Sequence, residues 1–184
     1  KKNRVDTIDY NGGVNAKWVT ENGDVHIVGY EQYESTSYSA ALHWKNGVKT
    51  VLTSSNSNYG AATDIAIKNN TVYIAGSEAE NGSRRAVFWK NGAKAVLPIS
   101  ANATRSSGNS IYVTDDGDMY IGGHEEQPGL GSGIGQAACY WKNNDQVILT
   151  DGSKNTFISD IKVTDYVYMS GFELFDFSEI SYNA

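Results

Sequence analysis

VHIVGYE at residues 25–31 returns as VYIAGSE at 72–78, MYIGGHE at 119–125 and VYMSGFE at 167–173. Self-similarity at a fixed period decides the fold before any single residue does. The central glycines, Gly29, Gly76, Gly123 and Gly171, recur at intervals of 47, 47 and 48 residues. Each copy alternates over seven residues and is rich in valine, isoleucine and tyrosine, the pattern of a strand with both faces covered.

Working outward, a second block follows the first three copies: HWKNGVKTVL at 43–52, FWKNGAKAVL at 88–97 and YWKNNDQVIL at 140–149. A weaker run precedes every glycine block: KWV at 17–19, DIAI at 64–67, SIYV at 110–113 and DIKV at 160–163. Each period therefore holds four short strands, A to D in chain order. Tight turns built on Asn, Asp and Gly join A to B and C to D, as hairpin geometry requires. The B–C and D–A connections are longer and are expected to emerge together on one face. Four antiparallel strands every 40 to 50 residues is the signature of propeller blades.

The fold class is all-β: a β-propeller of four ~47-residue, four-stranded repeats. The repeats span about 1–14 (partial), 15–53, 62–98, 108–150 and 158–184 (partial), in a single domain or propeller segment. Lys1-Lys2-Asn3-Arg4-Val5 reads like the end of a strand C, with Val5–Ile8 as a strand D, and the last residues stop where a further strand C would begin. The favoured reading is an arc of a larger propeller, completed by further blades of a longer chain or by a second copy. The alternative is a closed four-bladed ring.

The repeat resembles the Trp-Lys-Asn-Gly type of bacterial β-propeller repeat, similar in pattern to HAF and kelch-like repeats. The resemblance covers nearly the whole chain. It implies a secreted or surface-attached protein, often a lipoprotein, and names no chemistry.

Composition excludes several classes. The 184-residue chain carries a net charge of −6, and its 15 Lys and Arg are scattered, so no basic stripe exists for nucleic acid. No apolar run is long enough for a transmembrane helix. The single Cys139 occupies the slot of Leu42 and Val87, which reads as a small buried hydrophobe. His26 and His43 take slots held elsewhere by tyrosine or phenylalanine, and no histidine pair has metal-ligand spacing. No nucleophile elbow, phosphate loop or zinc motif occurs, so neither catalytic residue, metal ligand nor cofactor is expected.

Residues shared by all copies read as structural: Gly29, Gly76, Gly123 and Gly171, and the strand C tryptophans Trp44, Trp89 and Trp141 as packing anchors. Glu31, Glu78, Glu125 and Glu173 are shared too, two places after each glycine, where strand B is expected to end. Each either fixes its loop through hydrogen bonds or joins a ring of carboxylates facing a cation or a basic partner. Around them the residues differ between copies: Tyr30 and Tyr33, Arg84 and Arg85, His124 and Glu126, Phe172 and Phe175, with His124 expected exposed in a loop. Exposed aromatics beside carboxylates suit protein or sugar contact. The expected function is a non-catalytic extracellular or cell-surface propeller that contacts a protein partner through the long-loop face. A glycan-binding, lectin-like propeller is the alternative, and a propeller-fold glycosidase or lyase ranks below both, because near-identical carboxylates do not divide acid and base roles.

Overall fold

Fourteen strands and no helix make up the described part of the computed structural model, residues 11–33, 38–53, 57–127 and 135–174. The first sheet is β1 (Gly12–Val19), β2 (Val25–Gln32), β3 (Ser39–Lys45) and β4 (Val48–Val51). The second is β5 (Gly60–Lys68), β6 (Thr71–Glu80), β7 (Ser83–Lys90) and β8 (Ala93–Val96). The third is β9 (Arg105–Val113), β10 (Met119–Gln127), β11 (Gly135–Lys142) and β12 (Asp145–Ile148). A two-stranded fourth pairs β13 (Asn155–Val163) with β14 (Val167–Leu174). All pairs are antiparallel neighbours in chain order. The strand expected at Val5–Ile8 and residue Phe175 lie outside the described residues. Among the described residues no helix is long and apolar enough to cross a membrane.

The Lys-Asn-Gly turn has a specific reason. Asn46, Asn91 and Asn143 hold φ of 51°, 49° and 57°, the left-handed region that asparagine tolerates better than other side chains. Each then uses its side chain as well. Asn46 Oδ1 accepts Val25 N–H at 2.8 Å, Asn91 Oδ1 accepts Val72 N–H at 2.9 Å, and Asn143 Oδ1 accepts Met119 N–H at 3.0 Å. One residue thus turns the outer hairpin and pins the start of the second strand. Replacing Asn91 by alanine is expected to cost about 2 kcal/mol, from the strained φ and the lost hydrogen bond together. Urea unfolding would measure it, and Asn91→Gly, which removes only the hydrogen bond, should recover about half.

The first strand of every sheet is longer than the sequence runs suggested, and it bends. The register slips between Val14 and Ala16, Ala62 and Asp64, Gly108 and Ser110, and Ile158 and Asp160, leaving Asn15, Thr63, Asn109 and Ser159 as bulge residues. The bulge accounts for the repeated glycine. A Cβ on Gly29, Gly76, Gly123 or Gly171 would overlap the backbone oxygen of Gly13, Ala61, Ser107 or Phe157, two residues before each bulge.

The sheets pack in succession, first on second, second on third, third on fourth, each through the first strand of the later sheet. Val28, Ala41 and Leu52 meet Ile65, Ile74 and Trp89 at the first junction, and Tyr73, Ala75 and Leu97 meet Ile111, Met119 and Trp141 at the second. Tyr120 packs with Ile161 and Val163 at the third. Polar contacts repeat along the same seams. Asn15 Nδ2 donates to Ala62 O at 2.7 Å, Thr63 Oγ1 to Gly108 O at 2.8 Å, and Asn109 Nδ2 to Ile158 O at 2.8 Å. The buried indoles of Trp89 and Trp141 donate back to Leu52 O and Pro98 O of the preceding sheet, at 3.2 and 2.8 Å.

Candidate ligand-binding face

The connections β2–β3, β6–β7 and β10–β11 leave the sheets at the same end as β4–β5, β8–β9 and β12–β13. Two features of that end differ from the sequence reading. The second strands continue beyond the repeated glutamates, to Gln32, Glu80 and Gln127, and β6 meets β7 through a two-residue turn at Asn81 and Gly82, whose φ values are 50° and 80°. Arg84 and Arg85 consequently sit in strand β7 rather than in a loop.

Every repeated glutamate turns to a partner. Glu31 pairs with Lys49 at 2.9 Å and Glu78 with Lys94 at 3.2 Å, the lysine in both cases being the second residue of the sheet's fourth strand. The third sheet carries Gln146 in that slot, and its Nε2 donates to Glu125 at 2.8 Å. Gln127 Nε2 and Ser100 N–H donate to Glu125 as well, at 2.7 and 3.0 Å. Burial works against the Glu125 charge, yet these three donors hold its carboxyl below the usual glutamate range. Glu173 pairs with Lys154 at 2.7 Å. Glu78 and Glu125 are fully buried, and Glu31 and Glu173 are partly so. The particular lysine or glutamine that answers Glu31, Glu78 and Glu125 was not picked out from sequence, although it sits at a constant offset from the tryptophan.

His124 is not in a loop and not exposed. It lies inside β10 and is 7% exposed, with its ring edge-on to Phe157 at 4.9 Å. Burial, and then the Arg84 charge, push its pKa down to about 4, so the ring is neutral. Among the described residues neither of its nitrogens has a hydrogen-bond partner. Phe157 belongs to β13 and stacks on Phe172 at 4.9 Å. Two residues along β10 from His124, the buried Glu126 accepts Arg84 at 2.6 Å and Arg105 at 3.5 Å. A row thus runs Phe172, Phe157, His124, Glu126, Arg84, across three sheets. Phe172 is half exposed and so is Tyr33, whereas Tyr30 packs its ring against Gly13.

Other candidates resolve into packing. Cys139 is fully buried, and burial pushes its thiol up to about 12, far from a nucleophile. His26 and His43 face each other at 2.9 Å between Nδ1 and Nε2, stacked inside the first sheet at the opposite end. Among the described residues no group of three or more His, Cys, Asp or Glu is placed to hold a metal ion.

No family model matches the chain, and no curated protein matches it. Among solved structures it is similar to a fucose lectin from Kordia zhangzhouensis in complex with methyl-fucoside, at 11% sequence identity and a TM-score of 0.50. The likeness covers 75% of this chain and 98% of that one, and at such identity it speaks for the all-β fold alone.

Proposed function

We propose that the chain is an arc of a β-propeller that works outside the cell as a non-catalytic, carbohydrate-binding module. The observation that carries this reading is the row on the long-connection face. Its exposed ring, Phe172, continues into a buried polar group, His124 with Glu126 and Arg84, that holds hydrogen-bonding capacity in reserve. Sugars ask for that combination: an apolar ring face to stack on, and convergent donors and acceptors for hydroxyls. The fold likeness to a fucose lectin supports the same class of ligand.

The histidine and its two phenylalanines have no counterpart in the first two sheets. The slot of His124 holds Tyr30 and Ser77 in the first two, so one site per chain is the reading, rather than one per sheet. Nothing in the row divides a general acid from a nucleophile, which favours binding over hydrolysis. The test is a glycan array followed by calorimetry, with fucosides included. Phe172→Ala is expected to weaken binding about tenfold without changing the circular dichroism spectrum. If no glycan binds at millimolar concentration the carbohydrate reading fails, and a protein partner on the same face becomes the reading to pursue.

A further inference from the structure

The three junctions between sheets follow one rule, and the two outer faces of the array carry the two halves of a fourth. On the outer face of the fourth sheet, Tyr168 and Ser170 stand in register positions that the next sheet covers elsewhere. Tyr168 is 56% exposed, whereas Tyr73 and Tyr120 in the same slot are 9% and 7% exposed. On the free face of the first sheet, Val19 is 60% exposed, whereas Val113 and Val163 in its slot, each packed on a preceding sheet, are 6% and 8% exposed.

The polar atoms are unfinished in the same way. Asn15, Thr63 and Asn109 each reach the carbonyl just before the next bulge. Ser159 is the fourth bulge residue, and Val14, just before the first bulge, offers the corresponding carbonyl. At the second junction Asp64 Oδ1 accepts its own neighbour, Ile65 N–H, at 2.8 Å, while Oδ2 accepts Ile111 N–H from the next sheet at 2.8 Å. Asp160 occupies the slot of Asp64. Its Oδ1 is likewise taken by Ile161 N–H at 2.9 Å and by Ser110 of the third sheet at 2.9 Å, and the residue is exposed.

The residue that would meet Asp160 is the informative one. Ile65, Ile111 and Ile161 pair with Ile74, Ile121 and Met169, and the same position of the first sheet, paired with Ile27, is Lys17. A cation replaces isoleucine only in the first sheet, which has no described sheet in front of it, and the matching carboxylate is exposed only in the fourth, which has no described sheet behind it. Lys17 and Asp160 are thus complementary in charge and in register, at the ends of one array.

We propose that the outer face of the fourth sheet docks on the free face of the first sheet of a second copy of this chain, continuing the same junction. Asp160 takes the Lys17 N–H and faces its ammonium group. The Ser159 hydroxyl donates to the Val14 carbonyl, and Tyr168 covers Val19 and Val25. The contact is head-to-tail, so two copies that satisfy both ends close a ring. A heterologous contact of this kind that did not close would grow into longer assemblies.

Light scattering behind size exclusion, on the full chain at about 0.1 mM, tests the proposal, because even a weak contact is populated there. The expected mass is a dimer or a larger multiple of the 20.0 kDa chain. Lys17→Asp and Asp160→Lys should each weaken assembly at least about tenfold, and the two single variants mixed together should assemble again, because both junctions of a mixed pair then bring opposite charges together, one native and one swapped. A monomer at that concentration overturns the proposal, whether a terminal segment or closure of the chain on itself covers the two faces. Assembly indifferent to both substitutions, with the variants folded by circular dichroism, overturns it equally.

Discussion

Replacing Gly76 by alanine is expected to destabilise the protein by about 3 kcal/mol or more, enough to leave a domain of ordinary stability marginal. The added Cβ would overlap the Ala61 carbonyl oxygen and lie 2.9 Å from Trp89 Cζ3. Neither obstacle is the loose end of a flexible side chain. Ala61 belongs to β5, where the bulge at Thr63 sets the path of the strand, and Thr63 is tied to Gly108 of the next sheet. Trp89 is fully buried and held by its bond to Leu52 O. Relief would have to move a strand or the indole, and either movement opens the first junction. Gly82→Ala is the control. Its φ of 80° makes alanine uncomfortable, yet nothing stands within 4 Å of the added carbon, so a cost of about 1 kcal/mol is expected. Equilibrium unfolding in urea separates the two, and equal losses would show that the steric account of the repeated glycine is wrong.

That glycine shows how far the sequence could be read. Its period set the number and order of strands, since Gly29, Gly76, Gly123 and Gly171 each mark the middle of a second strand. The alternation around it also separates Tyr73 and Ala75 from Ile74, and the two core clusters divide them in the same way. The cause of the glycine was out of reach. The bulges that require it fall on Asn15, Thr63, Asn109 and Ser159, four residues with no common type, in strands whose first halves look like polar connections. Asn15, Thr63 and Asn109 share a side chain that donates across the seam, which is a property of two repeats at once.

The candidate face was less legible for the same reason. Glu31, Glu78, Glu125 and Glu173 were identifiable as a set, because comparing copies detects anything repeated. Apart from Gln127 beside Glu125, what each glutamate touches lies 16 to 25 residues away, on a neighbouring strand or connection. His124 was misplaced because a histidine following a glycine pair near a glycine-rich stretch looks like a loop residue. Its burial comes from Phe157, over 30 residues later and in another sheet. Local pattern reports what a repeat contains and says little about what the next repeat places upon it.

Stability is expected to fall as the pH drops from about 6.5 to about 4, with His43 and His124 carrying most of the slope. Burial, then the His26 and Lys45 charges, push His43 down to about 4, and burial with Arg84 does the same to His124. Both rings therefore stay neutral in the folded protein at pH values where the unfolded chain, with histidine near 6.5, already binds protons. Stability is fully present above the unfolded value, declines through the interval, and stops changing on this account below about pH 4. Each ring contributes up to about 3 kcal/mol over that range, on the conversion of one pKa unit to 1.36 kcal/mol. His43 adds a geometric constraint. Its Nε2 sits 2.9 Å from His26 Nδ1, so one of these nitrogens must accept the other's proton, and two charged rings could not keep that contact beside Lys45. Asp64 acts in the opposite sense, because burial raises its pKa and its protonation in the folded state begins earlier. The repeat supplies the substitutions for the test, since Phe88 stands in the slot of His43 and Phe172 in that of His124. His43→Phe with His124→Phe should flatten the urea midpoint between pH 6.5 and 4. A slope unchanged in that double variant would assign the acid sensitivity to carboxylates and remove both histidines from the account.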